Sequence, residues 1–449
     1  MSLSISISIS RSLPFSSAPF LSLQAKTKAA FTVAIFAIST FTSSALFSKE
    51  LPTAKPEAVG MSSASLESIC SKMNSYVDSV ELQVVVTLVS RHGKIVYKNT
   101  VGKLDIETGS ALKEDSLFRI YSMTKPIVTA AAMQLYEQGK FQLTDPVAKY
   151  LPEFQNTKVY EGGELVDQKQ AITIQHLMTH TSGIVYDFMG SSPVVELYKA
   201  ADLRAASSPE TFSKNIAALP LQEQPGTRWV YSFSIDVLGR LVEVISGEPL
   251  DQYLKNHILM PLEMTDTFFE VPADKVSRFG TNHQFGPDGK LNIIDRPSES
   301  RYTRKVTFFS GGGGLVSTAD DYMRFCQAML NGGELNGQRI LSRKTIDYMT
   351  QDHLPGILKK SGIDTDGTGV VENRPGFGFG LGFAITTNPQ AAGTISSKGE
   401  YYWGGAAGTV FWIDPVEDLI VISMIQLRTS PVPLRNVLKA ITYGAISHD

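Results

Sequence analysis

Apolar residues occur at regular spacings over the segment from residue 62 to residue 101. From Ser62 to Val80 they recur every three or four positions, as on the buried face of a helix. Gln83–Val89 and Ile95–Val101 instead form strand-like runs on either side of the turn-forming residues Arg91–Lys94. The pattern therefore predicts a helix followed by a β-hairpin.

Strand-like runs return close to the C-terminus, at Gly408–Ile413 and Leu419–Ile425, and a helical pattern follows from Pro433 to Ala445. The long middle segment, about 127–350, has mainly helix and loop patterns. Strands near both ends with helices between them favour an α/β fold of the α+β class. In such a fold an antiparallel sheet is flanked by helices and joined to a mostly helical lobe.

The same pattern predicts one domain over residues 50–449, because no repeat period or low-complexity tract interrupts it. We expect the sheet lobe to consist of about 50–120 and 375–449. The helical lobe is expected to consist of about 121–374.

Residues 1–49 differ in composition from the rest of the chain. They contain no Asp or Glu, are rich in Ser, and include the nearly unbroken apolar run Ala29–Phe47. This composition is typical of a targeting presequence, and its Ser content favours the chloroplast, with the mitochondrion or secretion as alternatives. Ser43–Ala45 resembles a cleavage site. If the presequence is retained, the apolar run is a candidate membrane anchor, and only then is a membrane expected as a partner.

Charge and cysteine content exclude several classes of function. With a formal net charge of -3, the chain has no basic excess to bind a nucleic-acid backbone. Cys70 and Cys326 are too few for a disulfide framework or a structural zinc site. His176 and His180 lie four residues apart but are not part of an H-E-x-x-H motif, and we interpret His180 as a turn residue. The sequence thus predicts no metal, no cofactor and no nucleic-acid partner.

A serine and a lysine stand three residues apart at Ser122 and Lys125, directly before the helical pattern Ile127–Tyr136. On the first turn of a helix the two side chains lie on one face, so the amine can take the proton of the hydroxyl. The same spacing recurs at Ser110 and Lys113, in a polar segment with no helical pattern after it. We therefore interpret Ser122 as the nucleophile and the other copy as inert.

The segment from Phe118 to Phe154 and five later motifs resemble the serine β-lactamase and penicillin-binding-protein superfamily. The resemblance is to its class C-like branch, which includes the family VIII carboxylesterases and transesterases. The later motifs are His176–Gly183, Pro225–Ser232, Gly312–Thr318, Gly378–Gly382 and Asp414–Pro415. The resemblance implies a β-lactamase/transpeptidase-like fold with the active site between the sheet and the helical lobe.

The resemblance also implies roles for single residues. Tyr231 opens the second motif and would handle the proton of Ser122 together with Lys125, as a coupled pair. The N–H groups of Ala406 and Ser122 would form an oxyanion hole. The third motif of the family, on a strand that lines the site, corresponds to Trp403, Gly404 and Gly405.

Two positions depart from the β-lactamase pattern. Trp403 stands where a Lys is usual, and Phe233 stands where an Asn is usual. Both changes replace polar recognition by apolar surface. They favour a carboxylesterase that forms an acyl-enzyme on Ser122 and acts on small-molecule esters with short to medium acyl groups.

Other functions are compatible with the same motifs. An amide hydrolase of the β-lactamase or D-aminopeptidase type and an acyltransferase are alternatives in the same site. A non-catalytic scaffold or filament-forming relative is an alternative of another class, and the intact Ser122, Lys125 and Tyr231 argue against it. No pattern in the sequence specifies an oligomeric state.

Overall fold

An antiparallel sheet of seven strands is the largest element of the computed structural model, which describes residues 51–354, 356 and 375–447. All of the described residues belong to one compact unit. The strands are β1 (Val84–Arg91), β2 (Lys94–Gly102), β3 (Phe118–Arg119), β4 (Val159–Glu161), β5 (Glu164–Val166), β6 (Asn282–Phe285), β7 (Leu291–Asp295), β8 (Val316–Ser317), β9 (Glu334–Leu335), β10 (Gln338–Arg339), β11 (Phe377–Phe379), β12 (Ala384–Thr386), β13 (Tyr401–Gly404), β14 (Val410–Asp414), β15 (Leu419–Met424) and β16 (Leu427–Arg428). The large sheet has the order β11-β12-β13-β14-β15-β1-β2, so strands from both ends of the sequence lie side by side.

The helices surround this sheet and fill the middle of the sequence. They are α1 (Ser63–Asp78), α2 (Thr124–Glu137), α3 (Ile174–Met178), α4 (Pro193–Ala200), α5 (Pro209–Ala217), α6 (Ser234–Ser246), α7 (Leu250–Leu254), α8 (Ala319–Leu330), α9 (Arg343–Met349), α10 (Pro389–Ala392) and α11 (Leu434–Gly444). Within the described ranges, no helix is both long and apolar enough to cross a membrane. The predicted presequence 1–49, with its apolar run and cleavage site, lies outside the described residues.

The predicted hairpin joins β1 and β2 through His92 and Gly93, whose φ angles are 52° and 69°. Two consecutive positive φ angles are typical of the tight turn whose twist matches paired strands. Strand β1 is buried along its whole length because it lies between β2 and β15 and is covered on both faces. Because both faces are covered, apolar residues stand at the consecutive positions Val84, Val85 and Val86 instead of alternating with exposed polar ones, and the polar residues Thr87, Ser90 and Arg91 are buried as well.

The two faces of the sheet pack against different helices. On β14 the ring of Phe411 contacts Tyr322 of α8, with ring centroids 5.1 Å apart. The next residue, Trp412, lies 5.9 Å from the ammonium of Lys439 on α11. Because neighbouring residues of a strand point to opposite faces, α8 and α11 cover opposite sides of the sheet. Helix and antiparallel sheet are thus arranged as the predicted fold class requires.

Helix α11 also fixes the strand that precedes the glycine turn at 404–408. The guanidinium of Arg435 donates a 3.1 Å hydrogen bond to the carbonyl of Trp403. Lys439 forms a buried 2.5 Å ion pair with Glu400, just before β13. Breaking such a buried pair is costly because it leaves an uncompensated charge, so β13 is held firmly in place.

The middle of the chain consists mainly of helices and loops, with α2 packed against α6 and α7. The hydrophobic pattern does not predict the short strand pairs β4–β5, β6–β7 and β9–β10, which interrupt this region. These strands have two to five residues and carry many polar side chains. They are therefore too short for an alternation of apolar and polar residues to be recognised in the sequence.

Candidate active site

Ser122 lies in a short 3₁₀ turn, Tyr121–Met123, that leads directly into α2. The turn is anchored upstream by β3, which pairs with β8, and by a 3.1 Å hydrogen bond from the Ile120 N–H to the Leu315 carbonyl. Tyr121 adopts a left-handed φ of 41°, which is uncommon for a residue with a side chain. Ser122 is therefore presented on a tightly constrained turn at the start of a buried helix.

Lys125 is on the first turn of α2, and its side chain is buried. Its Nζ lies 3.0 Å from the Oγ of Ser122 and donates a 2.6 Å hydrogen bond to the carbonyl of Gly312. Burial lowers the pKa of Lys125 to about 7; the carboxylate of Asp236 opposes this shift, and Arg204 adds to it. Near neutral pH, a large fraction of this amine is unprotonated and able to accept a proton.

Tyr231 reaches Ser122 from the loop before α6. Its phenol donates a 2.6 Å hydrogen bond to the Ser122 Oγ. The Tyr231 ring stacks on Trp229 and makes edge contacts with His180 and Tyr186. Burial raises the pKa of Tyr231, while its hydrogen bonds with Ser122 and Trp403 act in the opposite direction. The structure therefore brings together the hydroxyl, the amine and the phenol that the sequence analysis selected.

Trp403 is buried next to Tyr231 and differs in one respect from the sequence-based expectation. That expectation treats Trp403 as a purely apolar replacement for a cation. Its indole Nε1–H instead donates a 3.4 Å hydrogen bond to the Tyr231 hydroxyl oxygen, and the two ring centroids lie 5.4 Å apart. Trp403 is therefore both an aromatic wall and a polar neighbour of the phenol.

The turn after β13 approaches the turn that carries Ser122. A Cβ added at Gly405 would lie only 2.4 Å from the Ile120 carbonyl oxygen, so this approach requires glycine. The N–H of Gly405 is used within its own turn, where it donates to the Thr409 carbonyl at 2.8 Å. A Cβ at Gly404 would lie 2.9 Å from Arg435. Ala406, the next residue along the turn, is exposed.

Phe233 is buried in an aromatic cluster behind the site. Its ring centroid lies 4.5 Å from that of Tyr186 and 5.9 Å from that of Phe212. Arg204 places its guanidinium 4.7 Å above the Phe233 ring and pairs with Asp187. Arg204 and Tyr186 were not selected from the sequence because they belong to no motif with a fixed spacing from Ser122.

The second serine–lysine copy has a different environment. Ser110 and Lys113 are both exposed and lie outside any helix. The Ser110 hydroxyl contacts the hydroxyl of Thr108 at 2.7 Å. This copy therefore lacks the burial and the helix start that distinguish Lys125.

The two candidate histidines have structural contacts. The Nδ1 of His176 accepts a hydrogen bond from the Thr173 N–H at the start of α3, and burial lowers the His176 pKa to about 4. His180 has a left-handed φ of 54°, and its Nδ1 lies 3.1 Å from the Ser232 hydroxyl. Over the residues that the structure describes, no three potential metal ligands are grouped together.

A hydroxyl in contact with a buried amine and a phenol, beside a glycine turn of an antiparallel sheet, is the arrangement of a serine hydrolase. The chain belongs to the beta-lactamase family, because the family model described as Beta-lactamase matches residues 72–443.

Three known proteins show how far the similarity extends. Protein Rv1367c of Mycobacterium tuberculosis is 36% identical over 373 residues, which cover 81% of this chain and 88% of that protein. Esterase EstB of Burkholderia gladioli is 32% identical over 396 residues, which cover 82% of this chain and 92% of that protein. The solved structure of EstCE1, a hydrolase with promiscuous acyltransferase activity, has a TM-score of 0.73 and 26% identity, covering 86% of this chain and 99% of that chain. The predicted fold and the predicted resemblance to esterases of this superfamily are confirmed.

Proposed function

We propose that this serine hydrolase is a carboxylesterase that forms an acyl-enzyme on Ser122 and acts on small-molecule esters with short to medium acyl groups. One observation carries the proposal. The Lys125 amine and the Tyr231 phenol both contact the Ser122 Oγ, at 3.0 Å and 2.6 Å. Similarity to Esterase EstB supports an ester as the substrate class.

Lys125 is the proposed general base in acylation. Its pKa of about 7 keeps a substantial neutral fraction at physiological pH. The neutral amine takes the hydroxyl proton as the Ser122 oxygen attacks the ester carbonyl carbon. Tyr231, whose pKa is raised by burial, stays a neutral phenol and can donate a proton to the departing alkoxide. The proton on Lys125 then restores the phenol.

The negative charge that develops on the carbonyl oxygen needs preorganised donors. We assign this role to the backbone N–H groups of Ser122 and Ala406. The close approach of Gly405 to Ile120 supports the assignment, because it brings the exposed turn at Ala406 next to the turn of Ser122. Removing one such donor commonly costs about 10²- to 10³-fold in kcat.

Hydrolysis of the acyl-enzyme uses the same groups in reverse. Water enters where the alcohol departed, and the neutral Lys125 amine takes its proton as the water oxygen attacks the acyl carbonyl. Cleavage of the bond to the Ser122 oxygen releases the carboxylic acid and returns the proton to the serine.

Covalent labelling with a fluorophosphonate probe tests the proposed nucleophile. The full-length protein should be labelled on Ser122, and Ser122→Ala should lose the label. Ser110→Ala is the matched control, since it removes the hydroxyl of the other serine–lysine pair, and it should be labelled like the wild type. Labelling that survives Ser122→Ala would contradict the proposal, and an unlabelled wild type would favour a non-catalytic scaffold.

Acyl transfer is the second candidate function. It is favoured by the similarity to EstCE1, which is described as a hydrolase with promiscuous acyltransferase activity. The acyl-enzyme is common to both reactions, and only the acceptor differs. Adding a small alcohol to a p-nitrophenyl butyrate assay distinguishes them, because a transferase forms the new ester at the expense of free butyrate.

A further inference from the structure

The backbone of Gly312 lies between the side chain of Lys125 and the buried carboxylate of Asp236. The Gly312 carbonyl accepts the 2.6 Å hydrogen bond from the Lys125 ammonium or amine. The Gly312 N–H donates a 3.0 Å hydrogen bond to the Oδ1 of Asp236, which is the third residue of α6. Asp236 is only 3% exposed, so its carboxylate faces the protein interior.

Asp236 holds this segment through more than one contact. The hydroxyl of Ser310 also donates to the Asp236 Oδ1. A Cβ added at Gly312 would lie 2.2 Å from the Asp236 Oδ2 and 2.8 Å from the Tyr186 hydroxyl. The carboxylate therefore packs directly against the Gly312 Cα, and any side chain at this position would have to displace it.

We propose that Asp236 is a positioning residue that fixes Gly312 so that its carbonyl holds Lys125 against Ser122. A glycine has wide conformational freedom, and its carbonyl direction needs to be fixed from outside. The N–H and the carbonyl of Gly312 flank a single Cα, so a hydrogen bond on one side restricts the other. The inference rests on the proposed function, in which Lys125 is the base.

The charge of Asp236 adds an electrostatic effect that can be measured. The titratable and charged side chains that face Lys125 come from several segments, and they are His180, Tyr186, Arg204, Tyr231 and Asp236. Asp236 is the negative group that stabilises the protonated amine, and it acts against burial and Arg204. Removing the charge while keeping an oxygen acceptor should therefore make Lys125 easier to deprotonate.

Asp236→Asn separates the two effects, because an amide oxygen can still accept from the Gly312 N–H. The measurement is the pH dependence of kcat/KM for p-nitrophenyl butyrate with the full-length protein. We expect the rising limb to move to lower pH by about one unit, as for a cation that loses a nearby opposite charge. KM should change little, because the Asp236 carboxylate is buried and contacts Gly312 and Ser310.

Asp321→Asn is the matched control. Asp321 is also a buried carboxylate near the start of a helix, and it accepts one backbone N–H, from Asp266, and one hydroxyl, from Thr267. Its substitution should leave the rising limb in place. An unmoved limb in folded Asp236→Asn, or an equal shift in Asp321→Asn, would overturn the electrostatic effect of Asp236 on Lys125.

Gly312→Ala gives a second route if Asp236→Asn does not fold. The added methyl group must displace the carboxylate or the carbonyl, so we expect the fluorophosphonate labelling rate to fall by about tenfold or more. An unchanged rate would overturn the proposal. If instead the wild type is not labelled on Ser122, the proposed function itself is wrong.

Discussion

The indole N–H of Trp403 donates to the phenol oxygen of Tyr231 at 3.4 Å, although the two residues are 172 positions apart in the sequence. A donor on that oxygen leaves the phenol proton free to point at Ser122. It also stabilises negative charge on the oxygen, opposing the rise in the Tyr231 pKa that burial causes. Trp403, which stands where the family resemblance predicts a lysine, thus supplies one polar hydrogen to the phenol.

Removing the indole N–H of Trp403 should slow the reaction, while an aromatic ring at the same position keeps the wall of the site. Trp403→Phe is expected to lower kcat/KM for p-nitrophenyl butyrate by about threefold to tenfold, the value of one neutral hydrogen bond. Trp412→Phe is the matched control, because Trp412 is buried on the neighbouring strand and faces α11. Equal losses in the two variants would show that packing, not the hydrogen bond to Tyr231, explains the effect.

Trp403→Lys tests the origin of substrate preference. The wild type should favour p-nitrophenyl butyrate strongly over nitrocefin, because no lysine of the third motif is present to bind a lactam carboxylate. A charge-assisted hydrogen bond is worth about 1.5 to 3 kcal/mol, so the substitution should raise the lactam-to-ester ratio of kcat/KM by about tenfold or more. An unchanged ratio in a folded, ester-active variant would contradict this explanation of residue 403.

We expect kcat/KM to depend on the length of the acyl chain, because the site has an apolar residue, Trp403, in place of a cation. Each methylene that fits the site contributes about 0.8 kcal/mol, so kcat/KM should rise severalfold per carbon through the short p-nitrophenyl esters. The rise should stop when the pocket is full. A series from acetate to decanoate measures it, and a flat series from the start would argue against apolar recognition of the acyl group.

The pH dependence of acylation should report the protonation of Lys125. As the proposed base, Lys125 is active only when neutral, and burial lowers its pKa to about 7. Below that value, kcat/KM should fall about tenfold per pH unit, and above it the rate should level off, since the raised pKa of Tyr231 keeps the phenol protonated. A rate that declines as pH rises through 7 would exclude Lys125 as the base.

Lys125 and Tyr231 should behave as one unit because both contact the same oxygen. Lys125→Ala and Tyr231→Phe are each expected to lower the acylation rate by about 10³-fold or more, and the double variant should be little worse than the poorer single one. Stopped-flow measurement of the acylation phase gives the rates. Losses that multiply would mean that the two residues act in independent steps.

The N-terminal composition leads to a separate expectation. The presequence should be removed, so that the mature chain begins between about Ala45 and Glu57. N-terminal sequencing of the native protein determines the start, and import into isolated chloroplasts tests the first-choice destination. Met1 or Ser2 retained on a membrane-bound product would instead favour the anchor interpretation.

The sequence alone is sufficient to predict those features of the structure that depend only on residues close together along the chain. The turn His92–Gly93 and the strands beside it are local, so the strand-like runs and the turn residues between them predict the hairpin. Ser122 and Lys125 are one helical turn apart, so their contact follows from helix geometry. Tyr231 is 109 positions away, and it was found only through the resemblance to a family.

Only the tertiary structure determines the surroundings of each side chain in the site, and these surroundings set its pKa and its hydrogen-bond partners. The pKa of Lys125 depends on burial by segments that are distant in sequence, and its carbonyl partner Gly312 is 187 positions away. The orientation of the Trp403 indole and the contact of Asp236 with Gly312 likewise arise from packing. No spacing in the sequence encodes such contacts, because they form only when separate helices and strands are brought together in one core.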